Sequence, residues 1–321
     1  MVSALHIIRP GLLTTVQDLG RWGSQAVGVP VAGPMDPFSH RLANALVGND
    51  SWSATLEVTL TGPEIAFEDE RLVAVTGAEF DLLLGGQSVP SSVAFVVRAG
   101  SRLIFGRRLR GTRAYLAVAG GVAVPQVLGS RATHMLSRMG GFRGRALASG
   151  DQVPLGQTIP ATWRSSDPAR GEGGASVRLL ADRHARVRVL PGPHRDRFDD
   201  EVFDRLQSAP YTIGTDSDRM GFRLSGPTLR SERDTSMISD ATPLGVLQVP
   251  ASGQPVLLMA DRQTTGGYPA IATLVSADIG LVGQLGPGDT ISFVACSRRE
   301  ALAALIAQER ALMGVGGASR L

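Results

Sequence analysis

Apolar residues recur along this chain in short runs, some alternating with polar residues and some continuous, and nearly every run is broken by Gly, Pro or Asp. That is the spacing of strands and tight turns rather than of helices. Two segments depart from it. In "MDPFSHRLANALVGN", 35–49, Phe38, Leu42, Ala45 and Leu46 fall on one helical face, with Asp36 as N-cap, Pro37 at the first helical position and Gly48 as a stop. This predicts a helix over 36–48. In "SRREALAALIAQERALMG", 297–314, Ser297 and Glu300 stand in capping-box register and Gly314 terminates the pattern. A third, weaker helical pattern covers 194–209. The expected fold class is therefore mainly β with a few helices.

The strand signals also repeat in order. "LTGPEIAF" (60–67), "AYLAVAGG" (114–121) and "LASGDQVPL" (147–155) are followed, after a break, by "LSGPTLR" (224–230), "VLLMADRQTTGG" (256–267) and "LGPGDTISF" (285–293). Each series runs from a Gly-Pro turn through an apolar strand to a Gly-Asp turn and a closing strand, which suggests a duplicated β unit such as a closed barrel. Between them "WRSSDPARGEGGAS", 163–176, is polar, glycine-rich and without apolar period, the best candidate for a linker.

Composition narrows the function. A chain of 321 residues is long enough for two domains. All 32 of its Lys+Arg residues are arginine. Without lysine there is no Schiff base, no phosphate-gripping P-loop lysine and no attachment point for biotin, so any such group must arrive on a partner. The net charge of +3 is small, and the densest basic run, "GRRLRGTR" at 106–113, reads as a charged strand edge rather than a nucleic-acid surface. One cysteine, Cys296, excludes an internal disulfide, and no apolar stretch has the length of a membrane span, so a cytoplasmic protein is expected. The five histidines show no metal-binding spacing.

What remains is polar chemistry set against apolar strands. In "ADRQTTGGYPA", Asp261 and Arg262 follow Val256 to Ala260, where unpaired burial would cost several kcal/mol. They are paired in a hydrogen-bonded turn or face a pocket. Arg262 suits a carboxylate, Gln263, Thr264 and Thr265 suit an amide, and Gly266 and Gly267 allow positive φ and close approach of backbone N–H groups. Arg219 and Arg223 flank Met220, Gly221 and Phe222, with outward strand arginines as the plain alternative. Asp240 and Gln248 precede the strand that carries the motif.

These stretches, together with "RPGLLTTVQDLGR" (9–21), "GVPVAGPMDPFSHRLANALVGN" (28–49), "AYLAVAGGVAVPQVLGSRAT" (114–133), "SDRMGFRLSGP" (217–227) and "LGVLQVPASGQPVLLMADRQTTGGYPAIATLVSAD" (244–278), resemble the biotin-dependent carboxyltransferase / allophanate hydrolase subunit 2 family, which includes KipA-like proteins and the 5-oxoprolinase C subunits. The resemblance implies two cyclophilin-like β-barrel domains. These would be residues 1–165, including helix 36–48, and residues 177–296, carrying the DRQTTGGYP motif, followed by a helix at 297–314. It implies a subunit of an ATP-dependent 5-oxoprolinase, with a KipI-like or allophanate hydrolase subunit 1-like partner and a 5-oxoprolinase A-like subunit. ATP would be bound by or shared with those partners. The alternatives are a carboxyltransferase acting on urea or a related amide, with biotin carried by a partner, and a KipA-like regulatory module. On either enzymatic reading Asp261, Arg262, Gln263 and Tyr268 would be catalytic, and Thr264, Thr265, Gly266, Gly267, Arg219, Gln248 and Asp240 would bind substrate. The chain departs from the family pattern at Ala270, often lysine, at Phe222, frequently tyrosine, and at Pro34.

Overall fold

The structure is a computed structural model that describes residues 3–157, 183–230 and 237–317. The expected linker at 163–176 lies outside the described residues. Two compact units emerge. One holds the described residues up to 21, 32–157 and 308–317; the other holds 22–31 and 183–307. The early segment 22–31 clusters with the second unit, a long-range association that local pattern does not reveal.

The first unit contains β1 (Ala4–Arg9), β2 (Leu13–Gln17), α1 (Pro37–Leu46), β3 (Thr55–Thr59), β4 (Glu64–Phe67), β5 (Arg71–Leu84), β6 (Gln87–Val89), β7 (Ala94–Val97), β8 (Arg102–Val118) and β9 (Gln152–Pro154). Its nine-stranded sheet runs β2-β3-β8-β4-β1-β9, with β5 joining β8 to β6 and β7, and it curls without the closure seen in the second unit. The apolar runs of β5 and β8 are continuous because both faces are covered. Val73, Val75, Ala114, Leu116 and Val118 enter the main core with Leu5, Ile7 and Phe67, while Ala74, Tyr115 and Ala117 face α1. Helix α1 forms where its local signals predict: Pro37 opens it, and Asp36 accepts the Ser39 N–H at 3.1 Å. Its Phe38, Leu42 and Leu46 are buried, each worth about 1.5–3 kcal/mol. The arginines of the basic run meet carboxylates, Arg110 with Glu79 at 2.8 Å and Arg107 with Asp81 at 3.4 Å.

The second unit contains β10 (His184–Pro191), α2 (Asp200–Ser208), β11 (Tyr211–Ile213), β12 (Gly221–Ser225), β13 (Asp240–Ala241), β14 (Val246–Gln248), β15 (Val256–Leu258), β16 (Thr265–Gly266), β17 (Ala270–Leu274), α3 (Ile279–Gly283) and β18 (Thr290–Ala295). Seven strands close a barrel in the order β10-β17-β14-β15-β12-β11-β18, sealed by the parallel pairing of β18 with β10. Phe222, Leu224, Leu247, Leu257, Ile291 and Phe293 are buried, at positions alternating with the more exposed Arg223, Val256 and Ser292. β13 and β16 form a separate two-stranded ribbon. A last helix, α4 (Arg298–Gly317), starts with the reciprocal Ser297–Glu300 cap and runs through Gly314, the expected terminator, to Gly317; from residue 308 it belongs to the first unit, where Glu309 pairs with Arg41 through two bonds of 2.6 and 2.7 Å.

The two Gly-Asp turns are built alike. In the first unit the Gly150 N–H donates to the Ile7 carbonyl at 2.8 Å and the Ile7 N–H to the Asp151 carbonyl at 2.9 Å, while the Asp151 side chain accepts the Ala148 N–H at 2.7 Å. In the second the Gly288 N–H donates to Ile213 and the Ile213 N–H to Asp289, both at 2.9 Å, while the Asp289 side chain accepts the Gly286 N–H at 2.9 Å. Both glycines hold φ of +85°, open to glycine at no steric cost.

Candidate active site

On the β12-β15-β14 side of the barrel a cleft of about 180 Å³ opens. Gly221, Val256 and Leu258 supply apolar lining, the last two belonging to a small cluster with Val246 and Ala270. Its polar lining comes from two directions: Asp216, Asp218 and Arg223 around β12, and Gln248, Gln263 and Tyr268 from β14 and the motif loop. The register explains the meeting. Gln248 lies opposite Val256 on one side and Ala270 on the other, so closing the barrel brings the end of β14 beside the loop that enters β17.

Several polar groups here are paired within the protein. Asp261 and Arg219, both buried, form a two-bonded pair, Nε to Oδ2 at 2.9 Å and a terminal nitrogen to Oδ1 at 3.0 Å. The pair is reinforced by the Asp261 N–H donating to the Arg219 carbonyl at 2.8 Å, so it locks the motif loop to the approach to β12. Asp218 accepts the backbone N–H groups of Met220 and Gly221, and Asp216 pairs with Arg223 at 2.9 Å. Thr242 holds the ribbon in place: its hydroxyl donates to the Gln263 carbonyl and its N–H to the Thr264 carbonyl.

Other groups retain capacity. Buried Arg262 donates from Nε to the Thr242 carbonyl at 2.8 Å and meets no carboxylate among the described residues. Burial lowers its pKa to about 10, with the nearby Asp261 charge opposing the shift, so it stays a cation at neutral pH. Gln248, only 4% exposed, donates from Nε2 to the Tyr268 carbonyl at 3.4 Å, while its Oε1 accepts nothing from the described residues. The Gln263 amide and the Tyr268 hydroxyl are likewise without described protein partners, and Tyr268 is half exposed.

Glycine at 266 gives closeness rather than an unusual φ. A Cβ there would stand 2.5 Å from Gln248 Nε2 and 2.9 Å from Gln263 Nε2, so the bare backbone lets both amides converge. Neither Gly266 nor Gly267 adopts the positive φ that the sequence suggested, and Gly267 meets nothing closer than 3.7 Å. Thr264 and Thr265 lie in the same loop without lining the cleft, as does the Asp261–Arg219 pair beneath it. Asp240 stands apart from the lining too, 3.5 Å from Nε2 of His194, whose Nδ1 accepts the Ala270 N–H at 3.1 Å.

The carboxyltransferase-domain family, subdomains A and B, matches residues 27–295. The chain belongs to that family. Among its relatives, the 5-oxoprolinase C subunit of Escherichia coli is 41% identical over 95% of this chain and 96% of its own length. Urea amidolyase of Saccharomyces cerevisiae is 34% identical over 98% of this chain, which spans 18% of that enzyme. The solved Kluyveromyces lactis urea carboxylase superposes with a TM-score of 0.90 at 33% identity, over 98% of this chain and 29% of the larger one. The barrel expectation thus rests on a carboxyltransferase fold seen in solved relatives.

Where this carboxyltransferase-family chain departs from the usual pattern, the structure shows what replaces it. Phe222 is buried among the barrel side chains, and Ala270 is buried in the cluster below the cleft with its N–H on His194. Asp216 and Asp218 are not among the candidate residues of the sequence reading, and Arg223 stands there as a candidate with an outward strand arginine as its alternative. The signal was present in the Asp-rich turn "TDSD", but only long-range closure brings it to Gln263 and Tyr268. A polar network in the first unit was also missed. Tyr115 donates to buried Glu57 at 2.7 Å and accepts the Asp36 N–H at 2.8 Å, and Glu57 accepts the Met35 N–H at 2.9 Å. Desolvation beside Glu57 and Asp36 holds the Tyr115 hydroxyl far above its ordinary pKa, so it remains a donor.

Proposed function

We propose that this chain is the lactam-binding subunit of an ATP-dependent 5-oxoprolinase, acting with partner subunits to open 5-oxoproline to glutamate. The observation that carries the reading is the small cleft in which the Gln248, Gln263 and Tyr268 polar groups retain hydrogen-bonding capacity beside an apolar floor. Its fit is to a small cyclic amide: ring methylenes on Val256 and Leu258, the carbonyl toward the amide nitrogens of Gln248 and Gln263. Near-full-length similarity to a 5-oxoprolinase C subunit supports the same substrate. Donors aimed at the carbonyl would stabilise the negative charge that develops there as water adds and the ring C–N bond breaks, releasing the amine. Buried Arg262 adds a fixed positive potential close by.

The cleft is small beside the roughly 300 Å³ at which pockets for larger ligands begin, which suits a lactam better than a nucleotide. ATP on this reading is bound by or shared with the partner subunits. The test is ATP-dependent release of glutamate from 5-oxoproline by the co-expressed complex. Gln263→Ala and Tyr268→Phe should each lower kcat/KM by about ten- to a hundredfold; unchanged kinetics in both would sink the assignment. A second reading, carboxyl transfer from carboxybiotin to a urea-type nitrogen, is supported by the likeness to urea carboxylase. The chain has no lysine to carry biotin, so the test adds a biotinylated carrier and bicarbonate. Turnover that requires that carrier favours this second reading.

A further inference from the structure

Gln248 is a mostly buried cleft residue whose side-chain oxygen meets no donor among the described residues. A primary carboxamide has two N–H donors and an oxygen with two lone pairs. Here one N–H makes a long bond of 3.4 Å to the Tyr268 carbonyl, and nothing described meets Oε1 or the second N–H. Gln248 lines the cleft, so a complementary ligand there can bond these groups directly. Gly266 leaves room for the amide, since a Cβ there would stand 2.5 Å from Nε2 and push the end of the side chain aside.

We infer that Gln248 reads the edge of a cis amide, a carbonyl and an N–H side by side, so that the cleft selects lactams and cyclic ureas over open-chain secondary amides. The inference rests on the lactam-binding reading above and specifies how the substrate is recognised. The carboxamide of Gln248 presents its own N–H and oxygen on one edge, and two antiparallel hydrogen bonds close a ring with a partner that does the same. A lactam is held cis by its ring. An acyclic secondary amide is trans, with N–H and carbonyl on opposite edges, and can satisfy only one of the two. The apolar lining of Gly221, Val256 and Leu258 accepts ring carbons without competing for these bonds. The same edge is common to lactams and ureas, which gives one chemical basis for the substrates named in both groups of relatives.

The experiment is direct binding of uncharged probes to the full chain, followed by NMR or calorimetry: 2-pyrrolidinone, its N-methyl derivative and N-methylacetamide. Binding of 2-pyrrolidinone at least about tenfold tighter than of either comparator is expected. Gln248→Met, of similar shape but without the hydrogen-bonding groups, should erase that preference while a thermal melt confirms folding. Gln248→Glu, which keeps only acceptors, should weaken 2-pyrrolidinone binding to the level of the methylated lactam. Equal binding of the three probes by the native chain overturns the inference, as does no binding of 2-pyrrolidinone at about 100 mM, a weak threshold even for so small a ligand. The native-chain comparison decides the matter if neither variant folds. A complex that hydrolyses 5-oxoproline while the chain ignores the N–H defeats this inference alone. A chain that reads the N–H within a complex inert toward 5-oxoproline defeats the oxoprolinase reading alone.

Discussion

The Gly-Asp turn that closes each unit is nearly the same object twice: one isoleucine bonded through both backbone groups, one glycine at the same φ, one aspartate folding back on the residue three before it. Polar groups elsewhere in the two units are arranged differently. In the first unit Asp36, Glu57 and Tyr115 are buried and bonded to one another, whereas the barrel leaves Gln248 and Tyr268 with capacity on a cleft. The strand "AYLAVAGG" looks bare of polar chemistry, yet its Tyr115 anchors that buried network. Unused capacity alone does not mark a site, because buried Gln17 of the first unit also leaves its Oε1 unmet among the described residues; what sets the barrel groups apart is that theirs opens on a cleft.

The contrast can be broken most forcefully at Asp261, the saturated pair beneath the unsaturated cleft. Asp261→Ala removes both carboxylate oxygens that buried Arg219 donates to and should cost about 3–5 kcal/mol in denaturant unfolding. A loss below about 1 kcal/mol would mean that the pair is not the lock described here. In the first unit the matching test is a pH series on His40, wholly buried between the Thr55 hydroxyl and the Ser51 carbonyl. Burial lowers its pKa from 6.5 to about 4, so the unfolded chain binds the proton first as pH falls. The associated stability is complete above pH 6.5 and is lost on going down toward pH 4, on the order of 3 kcal/mol. His40→Gln should flatten that part of the curve, measured as the difference from the native protein at each pH. The smallest effect tests where the likeness stops: Asp289→Ala should cost about 1–2 kcal/mol and Asp151→Ala more, because Asp151 also takes bonds of 2.7 and 2.8 Å from Arg145 while Asp289 has one of 3.2 Å from Arg183. Equal costs, read from the same unfolding experiment, would mean that the Arg145 bonds add nothing measurable.

Features set by neighbouring residues were legible in the sequence. The Asp36 cap with Pro37, the Ser297–Glu300 box and the Gly-Asp turns all depend on residues within a few positions, and each forms as read. The motif loop was legible as polar chemistry, and Gln263, Tyr268 and Gln248 do share one cleft. Its wiring was not legible. Pairing of Arg219 with Asp261, placement of Asp216 beside Tyr268 and the grip of His194 on Ala270 all depend on which strands meet when the barrel closes, and residue types in one stretch do not encode that. Gly266 shows the limit within a single residue: a glycine was rightly read as allowing close approach, but whether that came with positive φ depended on where two distant amides came to rest.

The bond from the Ala270 amide to the His194 ring has an experimental use. Most strand amides donate to carbonyl oxygens, but this N–H donates to an imidazole nitrogen. Its resonance is thus a local gauge of the position of the strand that borders the cleft. Following that single amide signal in the 15N-labelled chain while a lactam is titrated in would show occupancy and loop movement together, without assembling the partner subunits.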